Sequence, residues 1–173
     1  MSPAPYSRTR RFLRAPLAAL LALCAGFGGG AMAQTCDVPQ TLRSDPMQVA
    51  STCGGDLSIG SICNGEVTLP GPAGVWRFQV GAGATAVLEL WETGIGFSPV
   101  GYLVNASGAC GEGDCHGYVD PATPLDLAGV PPGDYHLIVT ASEWDTPGAC
   151  GTYGLSVSGD LEGADEVFAN GFE

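Results

Sequence analysis

The chain has 173 residues, with 6 Lys+Arg against 18 Asp+Glu and a formal net charge of −12. Arg8, Arg10, Arg11 and Arg14 all precede residue 15 and every acid follows residue 33, so from Gln34 onward only Arg43 and Arg77 oppose 18 carboxylates, a net charge of −16 with no lysine. A surface so acidic repels phosphate backbones and anionic lipid, which excludes nucleic acid and membrane surfaces as partners. Calcium is compatible with this charge, but charge alone defines no site; no cofactor is expected.

In chain order, the four early arginines are followed by an apolar stretch, Ala15 to Phe27, and by Ala31-Met32-Ala33. Charged, apolar and small-residue segments in that order make a secretory signal peptide, with cleavage expected after Ala33. The apolar stretch is shorter than the ~20 residues a membrane-spanning helix needs, so no span is expected in the mature protein. Arg10-Arg11 ahead of Phe12-Leu13 is one residue short of a twin-arginine pattern, and Leu23 before Cys24 argues against lipoprotein processing. The expected location is secreted, periplasmic or at the cell surface.

Cys24 belongs to the signal segment; Cys36, Cys53, Cys63, Cys110, Cys115 and Cys150 remain. An even count in an exported chain reads as three disulfides. Cys110 and Cys115 enclose only Gly-Glu-Gly-Asp, so a local clip between them is the favoured pair. The other four are expected to tie the amino-terminal segment to itself or to the region of Cys150. A zinc reading is weak, because no paired C-x-x-C units are present and only His116 and His136 could complete a ligand set; no metal ligand is assigned.

From Gln34 to about residue 64 the sequence is polar and irregular, a lead-in held by its cysteines rather than a domain. The run Val75 to Val80 then puts Trp76, Phe78 and Val80 on one face and Arg77 and Gln79 on the other. From Ala86, the residues Ala86, Leu88 and Leu90 alternate with Val87, Glu89 and Trp91. A two-residue period in short runs bounded by glycine predicts strands. Gly101 to Val104 is a further candidate, and Gly117 to Val119 a weaker one. Leu125 to Leu127 runs into Gly129-Val130-Pro131-Pro132-Gly133-Asp134, which reads as a tight reversal between antiparallel strands. In the strand that follows, Tyr135, Leu137 and Val139 face the core, and in the last strand Tyr153, Leu155 and Val157 do so. No stretch beyond the signal has helical spacing with caps. Regularly spaced short strands with Gly/Pro turns predict an all-β fold, an antiparallel β-sandwich stapled by disulfides.

No catalytic constellation is legible. Gly154-Leu155-Ser156-Val157-Ser158 fails the last position of a nucleophile elbow and reads as strand. His116, beside Asp114 and Cys115, reads as a solvated loop residue; His136 alternates away from the core. H-E-x-x-H and P-loop motifs are absent. With eighteen acids some close carboxylate pair is inevitable, and only geometry decides whether it could act on a glycoside. Aromatic residues are the better lead. Trp91 on the outward strand face, Trp144 in a polar loop and, more weakly, Tyr102 could stack on a sugar or peptide; burial under a loop or sheet is the alternative for each.

The order of an aromatic strand, an apolar strand, "AGVPPGDYHLIVTA" (residues 128–141) and a closing "GTYGLSVSG" (151–159) resembles the bacterial pre-peptidase C-terminal (PPC) domain family. Leu127, Gly133, Tyr135, Leu137 and Val139 match one element of that family, and Gly151, Tyr153, Leu155 and Val157 the last; the match runs from about Glu66 to Gly159. The chain departs from the family at Ala73-Gly74, where an acid often stands, and at Ser98 to Val104, where the family carries an acidic strand. The second departure weakens any transferred calcium site. The resemblance implies a non-catalytic, jelly-roll-like sandwich of the kind appended to secreted hydrolases. The ending Val167-Phe168-Ala169-Asn170-Gly171-Phe172-Glu173 resembles the GFE-type tails of some gamma-proteobacterial exported proteins, which implies a tag for export or surface handling.

The expected organisation is a signal peptide at 1–33, a disulfide-linked segment at 34–64, a PPC-like sandwich at 65–160 and a tail at 161–173. The expected function is a secreted, non-catalytic binding or adhesion module for an extracellular polysaccharide, protein or cell-surface ligand. The alternative is a structural or accessory subunit of a secreted hydrolase or surface assembly; a small hydrolase is the third reading.

Overall fold

A computed structural model describes residues 35–44 and 47–162. The expected signal peptide with its cleavage point, and the tail beyond residue 162, lie outside these residues.

The described chain is all strand, turn and loop. Its strands are β1 (Gln40–Thr41), β2 (Gln48–Ser51), β3 (Ser61–Ile62), β4 (Val67–Thr68), β5 (Gly74–Val80), β6 (Val87–Glu92), β7 (Pro99–Asn105), β8 (Cys115–Val119), β9 (Leu125–Asp126), β10 (Gly133–Ala141) and β11 (Thr152–Ser158). They form a five-stranded sheet in the order β1-β5-β10-β7-β8, a four-stranded sheet in the order β2-β11-β6-β9, and the small β3-β4 hairpin. Apart from the parallel pair β1–β5, the pairings of these sheets are antiparallel. This is the disulfide-stapled β-sandwich that the alternation predicts.

Between the sheets lies one core. The five-stranded sheet supplies Trp76, Phe78, Val80, Leu103, Val119, Tyr135, Leu137 and Val139; the four-stranded sheet supplies Ala50, Leu88, Leu90, Tyr153, Leu155 and Val157. Period-two alternation puts each set on one face, so burying that face commits the register of the whole strand. Trp76 and Tyr153, both fully buried, meet across the sandwich, with the indole Nε1–H donating to Tyr153 Oη at 2.8 Å.

A second apolar cluster sits on the outer face of the five-stranded sheet. Val75, Val104 and Ile138 point outward there and are covered by Ile59, Ile62, Cys63, Leu69 and Ala73. The lead-in therefore does more than trail along the surface: it contributes β1 and β2 to the two sheets and roofs half of one of them. β10 is consequently covered on both faces over Leu137–Ala141.

Three local expectations are corrected. The Gly129 to Asp134 block is no hairpin turn, because β9 pairs with β6 in one sheet and β10 with β5 and β7 in the other. It carries the chain across the sandwich, and Tyr135 Oη donates back to Pro131 O at 2.8 Å to brace that crossing. The passages from β5 to β6, β6 to β7, β8 to β9 and β10 to β11 also change sheet, while β7 to β8 stays within one. Such alternation is the jelly-roll-like way of closing a sandwich. His116 lies on β8 rather than in a loop, its ring edge-on to Tyr135 at a centroid distance of 5.2 Å.

The third correction concerns the cysteines. Cys110 and Cys115 do not pair with each other; the bridges are Cys36–Cys110, Cys53–Cys150 and Cys63–Cys115. The 106–114 loop packs beneath the 59–64 turn: a Cβ on Gly111 would stand 2.9 Å from Ile62 Cγ2, and Asn64 Nδ2 donates to Asp114 Oδ1 at 2.7 Å. Both cysteines thus find their partners in the lead-in that covers them. Cys150 does tie to the lead-in, as expected, beside the Thr52 N–H to Gly151 O bond of 2.9 Å that extends the β2–β11 pairing.

Candidate ligand-binding cleft

The roof over the outer face of the five-stranded sheet stops short of the end where β7 begins and β8 finishes. Tyr102 and Tyr118 are direct cross-strand partners there, in the row Ile138–Tyr102–Tyr118. Directly opposed residues have Cβ atoms about 4.5–5.5 Å apart, so the two phenols stand side by side. Tyr102 leans on the second apolar cluster on one side, and Tyr118 is half exposed at the edge strand.

Two loops raise the walls. On one side the chain leaving β10 turns through Ser142-Glu143-Trp144-Asp145. Ser142 N–H donates to Ser98 O at 2.8 Å, and the Asp145 carboxylate accepts from Ser98 N–H at 2.9 Å and from Ser142 N–H at 3.3 Å. Hydrogen bonds to a charged acceptor are the stronger kind, so this loop is fixed to the β6–β7 connection. Trp144, 88 % exposed, projects from it. On the other side Asp120 and Thr123 exchange backbone hydrogen bonds, and Asp120 Oδ1 accepts from Ala122 N–H at 2.8 Å, closing a tight turn after β8.

The resulting cleft has a volume of about 470 Å³. Its functional lining is Tyr102, Tyr118, Trp144, Glu92, Asp120 and Glu143; among the described residues no Lys, Arg, His or Cys lines it. Burial raises the Tyr102 phenol above its ordinary value, and the nearby Glu143 carboxylate and Tyr118 add to the rise. Its hydroxyl is therefore a protonated donor throughout the neutral range. Pockets of this volume with an apolar body and a few convergent polar groups hold small ligands or single side chains.

Of the aromatic residues singled out from sequence, Tyr102 and Trp144 line this cleft, and Trp91 does not. Trp91 lies on the outer face of the four-stranded sheet, 38 % exposed, in the row Val49–Gly154–Trp91. It shares the space over Gly154 with Met47: a Cβ at Gly154 would stand 3.2 Å from Met47 Sδ and 3.4 Å from Trp91 Cε3. Tyr118 and the three carboxylates were not legible as site residues. Only the non-local register of β7 with β8 and the folding of two loops bring them together.

The histidines stand elsewhere. His136 borders a separate cavity of about 620 Å³ beside Cys36, Asp37, Ile59, Cys110 and Glu112. Its Nδ1 is buried with no hydrogen-bond partner among the described residues. Burial lowers its pKa, Arg77 lowers it further, and Asp134 opposes them. Among the described residues no group of three His, Cys, Asp or Glu is arranged to hold a metal, and no helix is long and apolar enough to cross a membrane.

No family model matches the chain, and no curated protein matches it. Among solved structures it is similar to the periplasmic inhibitor of g-type lysozyme from Aeromonas hydrophila, with a TM-score of 0.47 and 12 % identity over 70 % of this chain and 96 % of that one. It is also similar to the pre-peptidase C-terminal domain of a collagenase from Bacillus anthracis, with a TM-score of 0.44 and 16 % identity over 73 % of this chain and 96 % of that one.

Proposed function

We propose that this protein is a secreted, non-catalytic binding module that holds its ligand in the cleft between the 142–145 loop and the turn after β8. The observation that carries this reading is the convergence of Tyr102, Tyr118 and Trp144 on one concavity with three carboxylates at its rim. Trp144, 88 % exposed beside Tyr102 and Tyr118, adds an aromatic residue of the type enriched in binding hot spots. Three disulfides suit an oxidising compartment and agree with export. The PPC-like pattern in the sequence supports the same non-catalytic assignment.

The test is to immobilise the secreted protein and a Tyr102→Ala/Trp144→Ala variant and to probe both with extracellular polysaccharides and secreted proteins. The native protein is expected to retain ligand that the variant loses, with unchanged far-UV circular dichroism. Equal retention by both would overturn the cleft, and turnover of a polysaccharide that is abolished in Glu143→Gln would overturn the non-catalytic part.

The accessory-subunit reading has one observation of its own, the Met47, Val49 and Trp91 patch on the opposite sheet. It requires binding that survives loss of Trp144 and fails in Trp91→Ala.

A further inference from the structure

We infer that the occupant of the cleft is a cationic side chain, lysine or arginine, presented by an extended basic segment of a partner protein. This rests on the assignment of the cleft as the binding site, and it names the chemistry that site selects.

The argument begins with charge. From Gln34 onward the chain has two cations, and neither lines the cleft. Arg77 stands on β5 and faces Asp134 at 3.9 Å. Arg43 borders a different depression with Thr41, Phe78 and Asp160. The Glu92 and Glu143 carboxylates have no hydrogen-bond or ion-pair partner among the described residues, and Asp120 uses one carboxylate oxygen in its turn. Three carboxylates around one concavity, with no internal cation, create a negative potential that low-dielectric walls concentrate.

The second, independent observation is aromatic. Tyr102, Tyr118 and Trp144 line the same space, and an aromatic ring face attracts a cation, Trp most strongly. Carboxylates alone are satisfied by water. Aromatic faces alone serve a neutral sugar equally well. Together, in one pocket, they favour a group that has both a positive head and an apolar stem, which describes Lys and Arg side chains. A partner with several such residues would also be drawn in by the net charge of −16, which accelerates encounter and makes binding depend on salt.

Mere polyanion behaviour makes a different prediction, and the experiment separates the two. The probes are a fluorescein-labelled decapeptide of alternating Lys and Arg with serine, its glutamine counterpart, and neutral cellohexaose, each titrated against the full secreted protein at 50 and 300 mM NaCl. The basic peptide is expected to bind at least tenfold more tightly than the glutamine peptide and to weaken severalfold at the higher salt. Trp144→Ala and Glu143→Gln are each expected to weaken it about fivefold or more. Glu66→Gln, an equal loss of charge on the remote β3–β4 turn, should stay within about twofold. Equal weakening by Glu143→Gln and Glu66→Gln would show bulk attraction only and overturn the inference. Saturable binding of cellohexaose that Trp144→Ala abolishes, with no peptide binding, would also overturn it while leaving the cleft as the binding site. Binding of none of the three probes would overturn the inference; the Tyr102→Ala/Trp144→Ala comparison then judges the cleft independently.

Discussion

The hydrogen bond from Trp76 to Tyr153 joins the two sheets through the middle of the core, and its removal gives a sharp test of the packing. Tyr153→Phe keeps the ring and deletes the acceptor of the 2.8 Å bond, leaving the indole N–H in a site where both residues are at most 1 % exposed. Water cannot replace the lost partner without opening the sandwich. An unsatisfied buried donor costs about 1–3 kcal/mol, so a loss of about 2 kcal/mol is expected. With an m-value of about 1.5–2 kcal/mol/M, the urea midpoint should fall by about 1 M. Near neutral pH the thermal midpoint should fall by roughly 6 °C. The measurement is equilibrium urea unfolding of the oxidised protein, followed by tryptophan fluorescence and far-UV circular dichroism so that two-state behaviour is checked. Trp76→Phe alone should cost at least as much, because it leaves a void where the indole stood as well as removing the bond to the buried phenol. The double variant should then cost about 1 kcal/mol less than the sum, since the bond the two residues share is lost only once. A Tyr153→Phe protein within 0.5 kcal/mol of the parent, or strict additivity in the cycle, would refute this account of the core.

Peptide mapping without reduction should yield the links Cys36–Cys110, Cys53–Cys150 and Cys63–Cys115; a peptide joining Cys110 to Cys115 would contradict the fold. Their sequence separations of 74, 97 and 52 make each bridge worth about 4–5 kcal/mol on chain entropy and ~2–4 in common experience, so reductant should lower the thermal midpoint by well over 10 °C. Burial would raise the Asp56 pKa, but hydrogen bonds from the Ser58 hydroxyl, Ser58 N–H and Cys36 N–H outweigh it, and the net shift is downward. Its contribution is therefore present above the unfolded value of 3.8 and lost as pH falls through the lower folded value; Asp56→Asn should flatten the acid limb of the stability profile below about pH 4. His136 shares this preference for the deprotonated form, in a higher pH window. Its folded pKa lies below 6.5, so the unfolded chain takes up the proton first and stability declines as pH falls from 6.5 toward the folded value. An NMR titration placing His136 at or above 6.5 would contradict its half-buried position beside Arg77.

Strand positions and their inward faces were legible because each is decided within six to nine residues. Trp76, Phe78 and Val80, then Leu88 and Leu90, then Tyr153, Leu155 and Val157 alternate without interruption, and all are buried as the alternation requires. Connections were less legible. A Pro-Pro-Gly block marks a change of direction equally well for a hairpin and for a crossing between sheets, and only the pairing of Leu125 with Leu88 decides between them. The cysteines failed for a related reason: proximity in sequence favoured Cys110 with Cys115, whereas their partners are set by Ile59 and Ile62 lying over the 106–114 loop, a contact that spans about fifty residues.

The same cover explains why half of the cleft was invisible in the sequence. Tyr102 alternates outward on β7, which by itself leaves solvent and burial equally open. The lead-in settles the matter by roofing Val75, Val104 and Ile138 and ending against Tyr102, so that one side of this ring is packed and the other forms a wall. Had the segment from Cys53 to Ala73 continued one strand further across the sheet, Tyr118 and Trp144 would lie over apolar contacts instead of a cavity. Had it stopped earlier, Ile138 and Val104 would be exposed and the sheet would lack its second core. Cys63–Cys115 ties that segment to the start of β8, and Cys36–Cys110 ties the chain ahead of it to the β7–β8 connection. The disulfides therefore fix where the roof stops as well as how strongly it is held. A Cys63→Ala/Cys115→Ala protein that remains folded should accordingly lose probe affinity at the cleft, although neither cysteine lines it. Unchanged affinity in that variant, at equal secondary structure, would mean that the 142–145 loop and the turn after β8 build the cleft without the roof.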